Sequence, residues 1–337
     1  MSSTTAPAAA PPSIDPDVGR FVREVNAAYA RVAGFGSLTP PEARRAAEVV
    51  RAPWRVGGAT MLNVRELTVP AGSGMMRIRV YDPGPAGLKP GLVYAHGGGW
   101  TLFSLDTHDR VMREYAARAG VAVVGVDYPL SPEAKFPVAL HQIVEVIRWL
   151  GVHGPEVGVD PMRLAMGGDS AGGNLSVAAA LLLRDAGEPA RLSALLLNYG
   201  AFDSECSDAA ATAFGGEGAM LTRPEILGFF ANYIRTPADT LNPLVCPARA
   251  RLEALPPAFL TIPDCDILGE QSFAMVDKLT EAGVAVRAVS YRGATHSFLE
   301  AISISALADR AFRDGSDWLR TVLSGAPPPT GVSVATI

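Results

Sequence analysis

Ser170 lies in the sequence GDSAG, residues 168–172, with a glycine two positions away on either side. The apolar run 164–166 predicts a strand before it, and an Ala-, Leu- and Val-rich run predicts a helix after it. A serine between strand and helix is typical of a nucleophile elbow, because only very small neighbours let the backbone close around it. The pattern predicts nucleophilic attack on a carbonyl carbon; the alternative is an ordinary glycine-rich turn.

A serine hydroxyl is a weak nucleophile that needs a base held by an acid, and in this arrangement both follow the serine along the chain. Four of the five histidines precede Ser170, which leaves His296, just after a predicted strand, as the base. Asp264, Asp266 and Glu270 are the candidate acids. Spacing alone divides Asp264 and Asp266 almost evenly, whereas Glu270 is expected to begin the next helix. Helix capping is the alternative role for all three.

Three consecutive glycines, residues 97–99, follow another apolar strand directly. Backbone N–H groups exposed there can stabilise the negative oxygen of a tetrahedral intermediate, each by about 3 kcal/mol. We expect Gly97, Gly98 and Ala171, the residue after the nucleophile, to form this oxyanion hole. His96 is expected to brace the loop by hydrogen bonding. A flexible loop without chemistry is the alternative.

The elements that must position these residues alternate along the chain. Residues 15–51 show helical periodicity, and eight strand-like runs follow. From the third run onward strands alternate with helices, which predicts a mostly parallel sheet covered on both faces; the first two strands lie close enough to pair antiparallel. Residues 204–252 break this rhythm and are expected to be an insertion over the sheet. The predicted strands are 67–69, 76–81, 92–95, 121–127, 164–166, 194–197, 259–262 and 286–291.

Together these motifs resemble those of the bacterial hormone-sensitive-lipase-like esterases, family IV of the α/β-hydrolase superfamily. HGGGW at residues 96–100 is similar to the family's HGGG motif, and GDSAGGN at 168–174 to its nucleophile motif. DYPLSPE at 127–133 resembles its DYRLAPE stretch. The resemblance implies the α/β-hydrolase fold, with an eight-stranded, mostly parallel sheet flanked by helices and a helical cap.

The resemblance also bears on the acid and the base. The pattern Asp-x-Leu at residues 266–268 is similar to the family's DPL motif, which favours Asp266 as the acid. Residues 291–298 resemble the segment that carries the base, which favours His296. Supporting roles are expected for His96, Asp169 and Glu270. The sequence departs from the family pattern at Pro129, Gly269 and Ser297.

The predicted organisation has four parts. They are a flexible N-terminal tail at 1–14, a helical cap segment at 15–60, a catalytic domain at 61–323 with the cap insertion 204–252, and a C-terminal tail at 324–337. Aromatic and methionine side chains near the motifs are candidates for the substrate pocket, although such residues are more often ordinary core. These candidates are Trp100, Phe103, Phe202, Phe214, Met220, Phe229 and Phe230.

Composition excludes several classes of function. The formal charge of −5 and pI near 5.6 give no basic surface for nucleic acid, and no apolar tract is long enough to span a membrane. The three cysteines show neither disulfide nor zinc spacing, so we expect a cytoplasmic protein without metal or organic cofactor. A monomer or a homodimer is expected, the latter by pairing of an edge strand near residues 286–291.

The predicted function is hydrolysis of small, short-chain acyl esters through an acyl-enzyme. An alternative is an amide or N-acetyl deacetylase that acts on a small metabolite with the same triad. A further alternative is a ligand-binding protein on a hydrolase scaffold, which the presence of a complete triad disfavours.

Overall fold

A nine-stranded sheet forms the centre of the structure, a computed structural model that describes residues 13–72 and 74–336. The strands are β1 (Asn63–Ala71), β2 (Gly74–Asp82), β3 (Lys89–Ala95), β4 (Ala122–Val126), β5 (Val159–Asp169), β6 (Ala194–Asn198), β7 (Ala258–Pro263), β8 (Val286–Tyr291) and β9 (Gly331–Ala335). Their order is β1-β2-β4-β3-β5-β6-β7-β8-β9. β2 runs antiparallel to both β1 and β4, and the other neighbours are parallel. The predicted α/β class and the antiparallel opening pair are confirmed.

Helices cover both faces of the sheet, which explains why the central strands β4, β6 and β7 are buried along their whole length. The helices are α1 (Pro16–Ala30), α2 (Pro40–Arg51), α3 (Asp109–Ala119), α4 (Val138–His153), α5 (Ala171–Asp185), α6 (Asp208–Phe214), α7 (Arg223–Tyr233), α8 (Gly269–Glu281) and α9 (Ala306–Leu323). α4, α5 and α8 pack on one face, and α3 and α9 on the other. Among the described helices, none is both long and apolar enough to cross a membrane.

The N-terminal helices and the insertion lie together over one edge of the sheet. Pro16 opens α1 after Asp15, whose carboxylate accepts hydrogen bonds from two N–H groups of the first turn. Asn26 of α1 donates to the carbonyl oxygen of Gly218 in the insertion at 2.8 Å. Phe21 of α1 and Trp54 after α2 pack in one apolar cluster, edge to face. Of the predicted N-terminal tail, residues 1–12 lie outside the described residues.

The C-terminal segment corrects two predictions. Residues 331–335 form β9, which pairs parallel with β8, so the sheet has nine strands and this segment is not a loose tail. Trp318 of α9 anchors the connection, because its indole N–H donates to the carbonyl oxygen of Pro329 at 3.1 Å. β8 is therefore not the edge strand. The strand was missed because the proline run at 327–329 predicts an irregular end of the chain and β9 has only five residues.

The parallel strands bring the distant motifs to one edge. The glycine run follows β3, Ser170 follows β5, and the acid and base loops follow β7 and β8. Carboxyl ends of parallel strands share an edge, and ligands bind there in open α/β sheets.

Candidate active site

Ser170 joins β5 to α5 in a strained turn. Its φ of 53° and ψ of −116° lie outside the regions that residues with a side chain favour. Its N–H donates to the carbonyl oxygen of Asn198 at 2.9 Å, which ties the turn to β6. A Cβ at Gly168 or Gly172 would collide with the carbonyl oxygen of Ala95 on β3. This close approach is the physical reason for glycine at both positions.

His296 connects Ser170 to a carboxylate. Its Nε2 lies 3.0 Å from Ser170 Oγ, and its Nδ1 lies 2.8 Å from Asp266 Oδ2. Asp266 is 2% exposed and His296 6% exposed. Asp266 Oδ1 also accepts a hydrogen bond from the N–H of Leu268 at 3.0 Å, which fixes the orientation of the carboxylate. The structure brings together the three residues that the sequence singled out as nucleophile, base and acid.

The two other candidate carboxylates lie elsewhere. Asp264 Oδ1 accepts a hydrogen bond from the N–H of Gly293 at 2.6 Å and so braces the loop before His296. Glu270 is exposed in the first turn of α8, where its Oε1 accepts from the N–H of Ser207 at 2.5 Å. Glu270 therefore supports the start of the insertion rather than the triad.

Gln271, to which the sequence assigns no role, ties the same insertion to the sheet. Its Oε1 accepts from the N–H groups of Phe202 and Asp203, and its Nε2 donates to the carbonyl oxygens of Asp203 and Glu205. A glutamine beside a candidate acid carries no recognisable signal for this role.

The glycine run requires a correction. The N–H of Gly97 donates to Asp169 Oδ1 at 3.2 Å, and Gly97 does not line the cavity of about 520 Å³ that lies beside Ser170. Gly98 and Gly99 line that cavity beside Ser170, as does Ala171. Among the described residues, none accepts a hydrogen bond from the N–H of these three. The candidate donors for an oxyanion are therefore Gly98, Gly99 and Ala171, and the expectation for Gly97 was wrong.

A buried polar network holds the glycine run in place. Asp169, 4% exposed, accepts from the Tyr94 hydroxyl at 2.9 Å and lies 3.3 Å from His108 Nε2. Burial raises the pKa of Asp169, but the charge and hydrogen bond of His108 and the hydrogen bond from Tyr94 together outweigh burial and leave this pKa below its ordinary value. His108 precedes Ser170 along the chain, so the order of the residues excludes it as the base and gives no signal of this role in the network.

His96 has the bracing geometry expected of it. Its Nδ1 lies 2.7 Å from the carbonyl oxygen of Gly97, and its ring stacks on Tyr128. Burial and the nearby His108 lower its pKa to about 3, so the ring is neutral and its Nδ1–H can donate.

A cavity of about 520 Å³ opens beside Ser170 and His296. Five of the seven predicted pocket residues line it: Trp100, Phe103, Met220, Phe229 and Phe230. Phe202 does not, because its ring is fully buried against Gly200. Phe214 lines a separate cavity of about 280 Å³. The N-terminal helices contribute Asn26, Tyr29 and Arg51, which the sequence did not identify.

Ser297, one of the departures from the family pattern, has a backbone φ of 61°. This left-handed conformation favours glycine, the residue that the resembled family carries there. The serine keeps the turn at a cost of about 1 kcal/mol or more.

The pKa of His296 decides when it can accept a proton. Burial lowers the pKa, but the charge and hydrogen bond of the adjacent Asp266 carboxylate, together with the charges of Asp169 and Glu300, outweigh burial, so the pKa lies above its ordinary value of 6.5. A catalytic base must be neutral, so a role of His296 as the base predicts that activity is lost as pH falls through this pKa.

We therefore expect kcat/KM for an aryl acetate to rise with pH through a midpoint above 6.5. The measurement is a profile from about pH 5 to pH 9 at constant ionic strength, with enzyme stability checked at each pH. A midpoint below the ordinary histidine value would contradict the expected influence of Asp266.

The family model of the alpha/beta hydrolase fold matches residues 92–300, which contain the glycine run and Ser170, Asp266 and His296. The chain belongs to this family. The hydrolase is 32% identical over 305 residues to an ethyl acetate hydrolase of Pseudomonas putida, covering 88% of this chain and 95% of that protein. It is 34% identical over 260 residues to an acetyl esterase of Salmonella choleraesuis, covering 77% and 80%.

Solved structures of esterases are also similar to this chain. A thermostable esterase from Pseudomonas putida ECU1011 superposes with a TM-score of 0.86 at 30% identity, covering 95% of this chain and 99% of that one. An esterase of Pyrobaculum calidifontis gives 0.85 at 29% identity, covering 92% and 98%. The prediction of a bacterial hormone-sensitive-lipase-like esterase is confirmed, and the hydrolase is a carboxylic ester hydrolase.

Proposed function

We propose that the hydrolase cleaves short-chain esters, acetyl esters above all, with Ser170 as nucleophile, His296 as base and Asp266 as acid. The observation that carries the proposal is the continuous hydrogen-bonded chain from Asp266 through His296 to Ser170 Oγ. It ends at the wall of a cavity large enough for a small ester.

In the acylation half, His296 Nε2 takes the Ser170 proton while Oγ attacks the carbonyl carbon. Asp266 keeps Nδ1–H pointed at its carboxylate and stabilises the imidazolium that forms. The N–H groups of Gly98, Gly99 and Ala171 bind the developing negative oxygen. Their position is set by the fold before the substrate arrives, so little reorganisation is needed.

Collapse of the first tetrahedral intermediate completes acylation, and hydrolysis of the acyl-enzyme follows. The imidazolium of His296 donates its proton to the alcohol oxygen, which leaves, and the acyl group stays on Ser170. His296 then takes a proton from water, whose oxygen attacks the acyl carbon. Collapse of this intermediate releases the carboxylic acid and restores the Ser170 hydroxyl.

Two observations support a small acyl group. The relatives are named for acetyl esters and for ethyl acetate. The Phe229 ring lies directly against Gly99, so close that a Cβ on that glycine would collide with it. Because Gly99 is a candidate oxyanion donor, this ring limits the space beside the reacting carbonyl.

The proposal is tested with p-nitrophenyl esters from acetyl to dodecanoyl and with the matching N-acetyl anilide. We expect kcat/KM to be highest for acetyl to butyryl esters and far lower for the amide. A preference for long acyl chains would contradict the proposed acyl specificity, and faster cleavage of the amide would favour a deacetylase.

Replacing Phe229 with alanine is expected to shift the preferred ester toward longer acyl chains. The change removes the ring beside Gly99 and opens space next to the reacting carbonyl. We expect the octanoyl-to-acetyl ratio of kcat/KM to rise about tenfold or more. Phe273→Ala, on exposed α8 surface, is the matched control; an equal change in both variants would exclude Phe229 as the limiting residue.

A further inference from the structure

A buried ion pair joins the N-terminal helices to the segment that follows the base. Arg51, the last residue of α2, lies with its Nη1 3.1 Å from Glu300 Oε2. Glu300 belongs to the 3-10 helix Phe298–Ser303, which begins two residues after His296. Both side chains are 5% exposed. Charged side chains are almost never buried to this extent unless they are paired.

The N-terminal helices hold the His296 loop on both sides. Before the base, the N–H of Asp15 donates to the carbonyl oxygen of Gly293 at 2.9 Å. After it, Ala301 packs into the apolar cluster of α1 and α2 beside Glu300. The loop that presents the base therefore rests on the same two helices that carry Arg51.

Arg51 also belongs to the wall of the substrate cavity. Its guanidinium carbon lies 4.9 Å from the ring centre of Phe103, which lines the same cavity, and 5.7 Å from that of Phe21. The pair thus spans from the cavity wall to the polypeptide just beyond His296.

We propose that Arg51 and Glu300 are a positioning pair that holds the His296 loop against the N-terminal helices and keeps the charge beside the base balanced. This inference rests on the proposed role of His296. Neither side chain exchanges a proton with substrate; they act through the loop and the local field.

Of the neighbouring ionisable groups described below, none replaces Glu300 as the partner that neutralises the charge of Arg51. Burial raises the pKa of Tyr29 and of Tyr199, so both phenols stay neutral. Glu225 is exposed and bonded to Thr222 at the start of α7. The carboxylates of Asp266 and Asp169 face His296 and His108, respectively. Glu300 is thus the carboxylate paired with Arg51, which is never deprotonated in proteins.

The test is the acid limb of the kcat/KM profile in charge variants of the full chain. Glu300→Gln leaves a buried positive charge that disfavours the imidazolium, so the midpoint should fall by about 0.5 pH unit or more. Arg51→Met leaves the carboxylate unbalanced and should raise the midpoint. The double variant, which removes both charges, should return within about 0.2 pH unit of wild type.

Arg44→Met is the matched control for loosening of the cap. Arg44 also lies on α2 and bonds the carbonyl oxygens of Thr101 and Ser131 and the Glu133 carboxylate. Its loss should leave the midpoint in place. If both single charge variants lower kcat/KM without moving the midpoint, or move it in the same direction, the proposed charge balance is wrong.

Two measurements keep the outcomes separate. Thermal unfolding of each variant shows whether the variant is folded. If only one of the two single variants folds, that variant still tests the predicted direction of the shift in the acid-limb midpoint. His296→Ala tests the underlying role: if it retains wild-type activity and acid limb, the proposed mechanism fails. If it is inactive and the charge variants show no shift, only the inference about Arg51 and Glu300 fails.

Discussion

Replacing Ser170 with alanine is expected to lower kcat/KM for p-nitrophenyl acetate by about 10⁴-fold or more. The variant keeps the cavity and the candidate oxyanion donors but has no oxygen to form the acyl-enzyme. Residual turnover then comes only from binding and from water attack. Steady-state kinetics measure the loss, and intact mass after reaction with a fluorophosphonate shows whether the covalent adduct disappears with it.

The fold should survive this change. The bonds that Ser170 makes to Asn198 and Ala201 use its backbone, so alanine can make both. Ser176→Ala is the matched control, because this buried serine on α5 donates only to the carbonyl oxygen of Gly172. We expect Ser176→Ala to keep both activity and labelling. More than a few per cent of wild-type activity in Ser170→Ala would exclude Ser170 as the nucleophile.

The three residues of the proposed triad could be predicted from the sequence because their signals are either local or follow by elimination. The turn around Ser170 needs glycines at fixed offsets, and one histidine remains after the nucleophile in the required order. Sequence spacing alone could not decide whether Asp264 or Asp266 is the acid. The choice depends on how a short turn directs two neighbouring carboxylates, one to Gly293 and the other to the base.

Errors in the predicted walls and donors of the site share a physical cause, which is dependence on contacts between distant parts of the chain. The sequence alone could not show that Gly99, and not Gly97, is a candidate oxyanion donor. That distinction depends on Asp169, at the end of β5, which accepts a hydrogen bond from the N–H of Gly97. Arg51 lines the cavity because α2, which lies more than a hundred residues before Ser170 in the sequence, packs over the site. The fold class was predictable because strand and helix periodicities are local, whereas the walls of the cavity are not.

Replacing Asp266 with asparagine is expected to lower kcat by about 10³- to 10⁴-fold with little change in KM. The N–H of Leu268 donates to Asp266 Oδ1, so in the variant it would hold the amide oxygen at that position. The amide NH₂ would then face His296 Nδ1. Nδ1 must accept instead of donate, which places the ring proton on Nε2, where it faces Ser170 Oγ and cannot accept the serine proton.

Asp264→Asn is the matched control for this change, two residues away and with the same loss of charge. Its amide oxygen can still accept from the N–H of Gly293, so we expect kcat to stay within a few-fold of wild type. The pH profile adds a second distinction. Without the Asp266 carboxylate, only the weaker influences of Asp169 and Glu300 oppose the effect of burial on His296, so any residual activity should show its acid limb at lower pH. If Asp264→Asn lost as much activity as Asp266→Asn, the acid would act through loop geometry rather than through the tautomer of the base.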